Sequence, residues 1–267
     1  MALREISDRD FAQVQRWLYQ AAGIALSPAK KALVVGRLTK RLAALGCDGF
    51  SDYLRVLANA ANGVERQTAL DLLTTNETYF FREPKHFDFL IDEVLRKRPP
   101  KKHLRIWSAA CSSGEEAYSI AAVLSEHAQA GTWEVIASDI STRVLAQAKA
   151  GVYAVERVRD VPRSYLHKYF LRGTGPYRER VMVSKSLRDR VRFLHINLNA
   201  PFPDLGDFDI VFLRNVMIYF DLPTKASLVS RIAAVLKPGG LFVIGHSETL
   251  NGLNAKLQCI KPSIYLK

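Results

Sequence analysis

Apolar residues in the first 75 positions recur with helical spacing. Phe11, Val14, Trp17, Leu18 and Ala21 stand at i, i+3 and i+4 intervals, which predicts an amphipathic helix. Ser27-Pro28 predicts the start of a second, with Ser27 as N-cap and Pro28 in the first turn. On it Val34, Val35, Leu38, Leu42 and Leu45 share one arc, and Lys30, Arg37, Lys40 and Arg41 share the other. Gly46 closes it. Ser51 opens a third helix through Leu57, and Val64 to Leu73 fits a fourth.

After about residue 100 the period changes. Short apolar runs at Leu104–Ala109, Trp133–Ser138, Val191–His195, Phe208–Leu213 and Leu241–Gly245 read as strands, with Ile264–Leu266 as a final edge strand. Glu115–His127, Thr142–Ala150 and Pro223–Leu236 read as helices between them, and Lys237-Pro238-Gly239-Gly240 as a turn. Strands alternating with helices predict an α/β fold, doubly wound around a mostly parallel sheet. Residues 152–190 break the alternation. They are polar and basic, with a turn at Arg172-Gly173-Thr174-Gly175-Pro176, a helix near Pro162–Phe170 and a hairpin around Tyr177–Lys185. The expected division is an all-helical domain over 1–75, an α/β domain over 76–267 and a small β insertion over 152–190.

Composition narrows the function classes. The 48% hydrophobic content is that of a globular chain, and the formal net charge of +12 predicts an acidic partner. Cys47, Cys111 and Cys259 form no CxxC pair, and the six histidines are not grouped at ligand spacing, so no metal site is expected. Met1–Asp10 carries early charges and lacks the apolar core of a signal peptide. No apolar run nears the roughly 20 residues of a membrane helix. A cytoplasmic protein without membrane insertion is the expectation.

The chemistry should sit at the carboxyl ends of the strands. The first strand runs into Ala110-Cys111-Ser112-Ser113-Gly114-Glu115-Glu116, whose small residues, Gly114 among them, allow close approach to a ligand. The second ends in Asp139, where a carboxylate can accept both hydroxyls of a ribose. Glu115 and Glu116 occupy the helix turn that would receive a pyrophosphate, and no G-x-G-x-x-G is present. Their charge suits S-adenosylmethionine, a cation without phosphate, although two acids also complement the helix dipole. Two further clusters stand out: Asn76-Glu77-Thr78-Tyr79-Phe80-Phe81-Arg82 at the domain seam, and Arg214-Asn215-Val216-Met217-Ile218-Tyr219-Phe220-Asp221 after a strand.

These clusters, with Trp107–Ser119 and Leu236–Glu248, resemble the successive signatures of the chemoreceptor glutamate methyltransferases, the CheR family, in order and over essentially the whole chain. The resemblance implies a Rossmann-like S-adenosylmethionine-dependent methyltransferase that esterifies receptor glutamates. It implies that Asn76, Thr78 and Arg82 line the cofactor site, Glu116 meets the methionine end, and Asp139 meets the ribose. Asn197 and Leu198 would flank the adenine, Arg214 and Asn215 close the site, and Tyr219 stand near the methyl. Cys111 replaces the commoner alanine. Because a glutamate acceptor is ionised at neutral pH, no general base is needed, and Arg82 and Tyr219 become the expected catalytic positioners.

Lys30, Lys31, Arg37, Lys40 and Arg41 lie in an acid-free stretch, residues 24–47. A solvated helix face explains them, as does docking of acidic receptor helices, which the resemblance favours. The resemblance also implies that the insertion can hold a receptor C-terminal tail peptide by strand addition. A monomer is expected, and nucleic acid is not an expected partner. The competing readings are a methyltransferase acting on nucleic acid and a catalytically silent receptor-binding adaptor.

Overall fold

The computed structural model describes residues 5–99, 102–253 and 256–267. Residues 1–4, part of the stretch tested for a signal peptide, lie outside this range. Among the described residues no helix is long and apolar enough to cross a membrane.

Four helices form the N-terminal part: α1 (Asp8–Ala22), α2 (Lys31–Ala44), α3 (Phe50–Ala58) and α4 (Gly63–Leu73). Ser7 caps α1, its hydroxyl accepting the Asp10 N–H at 3.0 Å. The helix buries Phe11, Val14, Leu18 and Ala22 against Val34, Leu38 and Leu42 of α2, while Trp17 and Ala21 pack at the margin. Two details of the expected α2 differ. Ser27 makes no side-chain cap: a 3-10 turn at Pro28–Lys30, closed by the Lys30 N–H on the Ser27 carbonyl, leads into the helix instead. Leu45 leaves the apolar arc and is 41% exposed, because helical geometry ends at Ala44.

A short helix α5 (Lys85–Phe89), continued by a π-helical turn over Leu90–Leu95, leads into the α/β part. This comprises β1 (Leu104–Ser108), α6 (Glu115–His127), β2 (Trp133–Asp139), α7 (Thr142–Ala150) and β3 (Val152–Ala154). After these come α8 (Arg163–Tyr169), β4 (Phe170–Arg172), β5 (Arg180–Val183), α9 (Lys185–Arg188) and β6 (Val191–His195). The last elements are β7 (Phe208–Leu213), α10 (Leu222–Val235), β8 (Leu236–Ile244), β9 (Gln258–Lys261) and β10 (Ile264–Leu266). The main sheet has the order β6-β2-β1-β7-β8-β10-β9. Its first five strands are mutually parallel, and β10 pairs antiparallel with both β8 and β9. Alternate residues feed two cores: Ile106, Val135 and Phe212 pack with α6 on one face, and Trp107, Ile136 and Val211 pack with α10 on the other.

Three expectations are corrected here. Ile264–Leu266 is a strand but not the edge, because β9 lies outside it; β9 is exposed along its length and has no apolar pattern to betray it. Lys237–Gly240 is not a separate turn. It is absorbed into β8 as an irregularity, with Phe208 opposite Leu236 and Ile210 already opposite Leu241. The insertion is a three-stranded sheet, β3-β5-β4, whose hairpin joins β4 to β5. The hairpin thus begins at Phe170 rather than near Tyr177, where Gly175–Tyr177 is instead a 3-10 turn inside its loop.

The helical part is tied to the α/β part at named points. Asp71 on α4 accepts the Thr142 N–H at 2.9 Å and the Arg143 N–H at 3.2 Å, capping α7 from another domain. Asn197 donates to the Ala21 carbonyl at 2.7 Å, and the Ala25 N–H donates to the Tyr219 carbonyl at 2.8 Å. Segment 24–26 after α1 is therefore held against the loop after β7.

Candidate active site

Strand order reverses between β1 and β7, and a cleft lies at the carboxyl ends of the strands there. It has two parts. The larger is a cavity of about 480 Å³ with apolar walls from Ile140, Ile196 and Leu198, closed on one side by Ala22, Ile24 and Leu26 of the helical part. The smaller, about 50 Å³, is polar and is lined by Thr78, Arg82, Glu116, Arg214 and Asn215. Asn76, Asp139 and Val216 border both, so the two parts share one wall.

Asp139 ends β2 and is buried. Its oxygens accept the N–H groups of Ser112 and Ser141, each at 2.9 Å. Burial pushes its pKa up, against the opposing pull of these N–H groups. Each oxygen keeps a second lone pair for a hydroxyl. Asn197 and Leu198, after β6, line the larger cavity, as does Tyr219. Tyr219 therefore sits on the apolar side and not among the residues of the smaller cavity.

The two acids that open α6 have parted roles. Glu115 turns away from the cleft, pairing with Arg157 of the insertion and accepting from the Ser113 hydroxyl at 2.6 Å. Glu116 faces the smaller cavity, accepting from the Ser108 hydroxyl at 2.6 Å and from Arg214 Nη1 at 3.0 Å. Gly114 lines neither part of the cleft. Its φ is +97°, and a Cβ there would stand 2.9 Å from that of Ala148, so the packing of α6 on α7 requires glycine here.

The seam motif divides by direction. Phe80 packs edge-on against Tyr153 and Phe170, and Phe81 packs on Phe87, so both belong to the core. Asn76, Thr78 and Arg82 face the smaller cavity. Arg82 is half-buried; its Nη1 donates to the Glu77 carbonyl at 2.9 Å and its guanidinium lies 5.7 Å from the Tyr79 ring centre.

Two residues of the site were given no role from the sequence: Glu83, just past the seam motif, and Glu248, the last residue of the Leu236–Glu248 signature. Glu83 takes Arg214 Nη2 at 3.0 Å and Asn215 Nδ2 at 3.2 Å. Burial would raise its pKa, but Arg214 and Asn215 outweigh burial and hold it below the usual carboxylate range. Glu248 accepts the N–H groups of Gly245, Asn215 and Val216 at 2.7, 2.9 and 2.9 Å, fixing the loop after β7. A Cβ on Gly245 would meet Asn215 Nδ2 at 2.5 Å, so only glycine lets that loop approach. Of the five non-glycine residues with positive φ among the described residues, Ser112 and Asn215 line this cleft and Phe81 and Glu83 flank its residue Arg82. Backbone strain is concentrated where the side chains must converge.

Histidines far apart in sequence also meet here: the rings of His86 and His246 are 4.7 Å apart, with Glu83 beside them. The geometry approaches a ligand set, but Arg214 places a fixed positive charge against Glu83, which opposes a cation. Burial, reinforced by Arg214, pushes the His86 pKa down to about 3, and its Nε2 is bonded to the Ser263 hydroxyl at 2.8 Å.

The five basic residues of the α2 region separate into groups. Arg37 lines the larger cavity and donates to the Leu73 and Thr74 carbonyls at 2.8 and 3.0 Å. Arg41 grips buried Glu65 through Nε at 2.8 and 2.9 Å, and Tyr53 donates to the same carboxylate at 2.6 Å. Lys31 pairs with exposed Asp8, while Lys30 and Lys40 are exposed. Arg41→Ala should therefore lower stability by about 2 kcal/mol, since it strips a charged partner from a buried carboxylate, and Lys40→Ala should change it by less than about 0.5 kcal/mol. Urea unfolding of both variants compares them; equal effects would place Arg41 on the solvated face with Lys40.

Comparison with known proteins agrees along the whole length. Residues 76–266 match the family model described as CheR methyltransferase, SAM binding domain, and residues 9–74 match CheR methyltransferase, all-alpha domain. A chemotaxis protein methyltransferase of Salmonella typhimurium is 40% identical, over 97% of this chain and 90% of its own. Chemotaxis protein methyltransferase 2 of Pseudomonas aeruginosa is 42% identical over 96% and 92%. That of Borreliella burgdorferi is 36% identical over 98% and 95%.

Proposed function

The chain belongs to the CheR methyltransferase family, and from that premise we propose that its acceptors are glutamate carboxylates on the cytoplasmic helices of chemoreceptors. It is an S-adenosylmethionine-dependent methyltransferase of chemotaxis. The observation that carries the residue assignment is the two-part cleft: an apolar cavity and a polar one, with buried Asp139 on their shared wall.

The residues present fit the donor. Ile140 and Leu198 suit an adenine, Asp139 a ribose diol, and Glu116 an ammonium group, while the acids at the start of α6 disfavour a phosphate. When bound, S-adenosylmethionine supplies a methyl group already activated by a positive sulfur. Among the described residues Arg82 spends only one guanidinium nitrogen on the protein, which leaves the other edge to hold an acceptor carboxylate by charge-assisted hydrogen bonds. Tyr219 borders the cleft on the apolar side, where it can pack against the donor. No residue has to take a proton, because the acceptor arrives ionised.

Lys30, Lys31 and Lys40 are the α2-region cations best placed to meet acidic receptor helices. The insertion offers a second contact, a receptor tail peptide added to its sheet beside the cross-strand pair Leu171 and Met182, which are 58% and 37% exposed. The protein acts as a monomer in this reading. Transfer of labelled methyl to receptor fragments, set beside RNA, tests the acceptor. Label on the receptor that mild base releases as methanol is the expected result. Label on RNA, or none on either, overturns the glutamate assignment.

A further inference from the structure

Glu83 lines neither part of the cleft, yet it gathers the groups that do. Its Oε2 accepts Arg214 Nη2 and Nε at 3.0 and 3.3 Å, and its Oε1 accepts Asn215 Nδ2 and the His246 N–H, both at 3.2 Å. Arg214 is 1% exposed at its side chain and also donates to the carbonyl of Arg82. One carboxylate thus joins the loop after β7, the loop after β8 and the end of the seam motif.

We propose that Glu83 is a positioning residue that sets the charge of the methionine-end subsite by holding Arg214 off Glu116. The proposal rests on the cofactor assignment above. Arg214 presents only Nη1 to Glu116, because Glu83 takes its Nε and Nη2. Glu116 then receives one hydrogen bond from Arg214 and one from Ser108, and keeps lone pairs for an ammonium group. Without Glu83 only the Arg82 carbonyl still holds Nη2, and the guanidinium fork can turn toward Glu116 in the bidentate manner arginine prefers. The acid meant for the ligand would then be neutralised inside the protein. Asn215 would lose its Nδ2 acceptor at the same time.

Two ligands separate this role from a general structural one. S-adenosylhomocysteine carries the amino-acid end; 5′-methylthioadenosine has the same adenine and ribose and lacks it. Titration calorimetry of the wild type, Glu83→Ala and Glu83→Gln against both is the test. Glu83→Ala should bind S-adenosylhomocysteine at least about tenfold more weakly, the worth of one charged hydrogen bond. It should bind 5′-methylthioadenosine within about twofold of wild type, which also reports that the variant is folded. Glu83→Gln should recover part of the loss, because its amide oxygen still accepts from Arg214. Equal losses for both ligands, or none for S-adenosylhomocysteine, overturn the positioning role. A wild type that binds neither ligand overturns the cofactor assignment itself, and this inference with it.

Discussion

Replacing Arg82 with alanine is expected to cut kcat/KM for receptor methylation at least about a hundredfold and to leave the fold intact. The size follows from the kind of catalysis. An ionised acceptor and an activated donor need no acid or base, so the rate depends on holding them in line, and loss of one fixed donor typically costs 10²- to 10³-fold. The fold should survive because the Arg82 side chain is half-buried and is bound through a single carbonyl and one ring. Arg82→Lys should not restore the rate, since an ammonium lacks the planar fork that grips a carboxylate. Affinity for S-adenosylhomocysteine should fall by less than the rate does, because Arg82 shares the smaller cavity with Glu116 but is also assigned to the acceptor. Methyl transfer to a receptor fragment, with calorimetric titration of S-adenosylhomocysteine, measures both quantities. Near-wild-type transfer by the alanine variant would remove Arg82 from the reaction.

Much of the fold was legible because its cores are built from strict periodicities. β7 and α6 were readable to the residue: Phe208–Leu213 is buried at every position but Asp209, and a first-turn acid pair marks the start of the helix. Legibility failed where burial does not pattern the chain. β9 is exposed at all four residues and carries no alternation, so nothing announced it outside β10. The insertion hairpin was misplaced because its turn residues spread over Arg172–Arg178, and only strand pairing shows that β4 precedes them.

The candidate site was legible where motifs ended strands, and illegible where a residue acts through a contact distant in sequence. Asp139 and Asn215 follow from position. Glu83 follows from nothing local, since its partners lie more than 130 positions away. Gly114 shows a second reason for a glycine in such a loop, one the sequence does not display: the close approach of Ala148. Position also left open how far the helical part shapes the cleft. Ala22, Ile24 and Leu26 wall the larger cavity, so its shape and the placement of the α1–α2 segment are physically joined.

Arg214→Leu is expected to have the largest effect on stability, a loss of about 3–5 kcal/mol, because it leaves two charges buried without their partner. Arg214 stands between Glu83 and Glu116 at 3.0 Å from each, and all three are tied to separate elements. The pH dependence has a definite sign. In the intact protein Arg214 helps hold the Glu83 pKa below its ordinary value. Stability from that pairing is therefore present above the ordinary carboxylate range and is lost as pH falls through the folded pKa. In the variant, burial without a cation raises the same pKa, so the penalty is greatest at neutral pH and fades as the Glu83 carboxylate protonates. The gap between wild type and variant should thus narrow between about pH 7 and about pH 4. Adding Glu83→Gln and Glu116→Gln to Arg214→Leu should recover most of the stability at neutral pH, since no buried charge is left unpaired, while affinity for S-adenosylhomocysteine stays lost. Urea unfolding of the single and triple variants at the two pH values measures this. A penalty that does not change with pH, or a triple variant no more stable than the single, would show that Arg214 supports the fold by packing and not by charge.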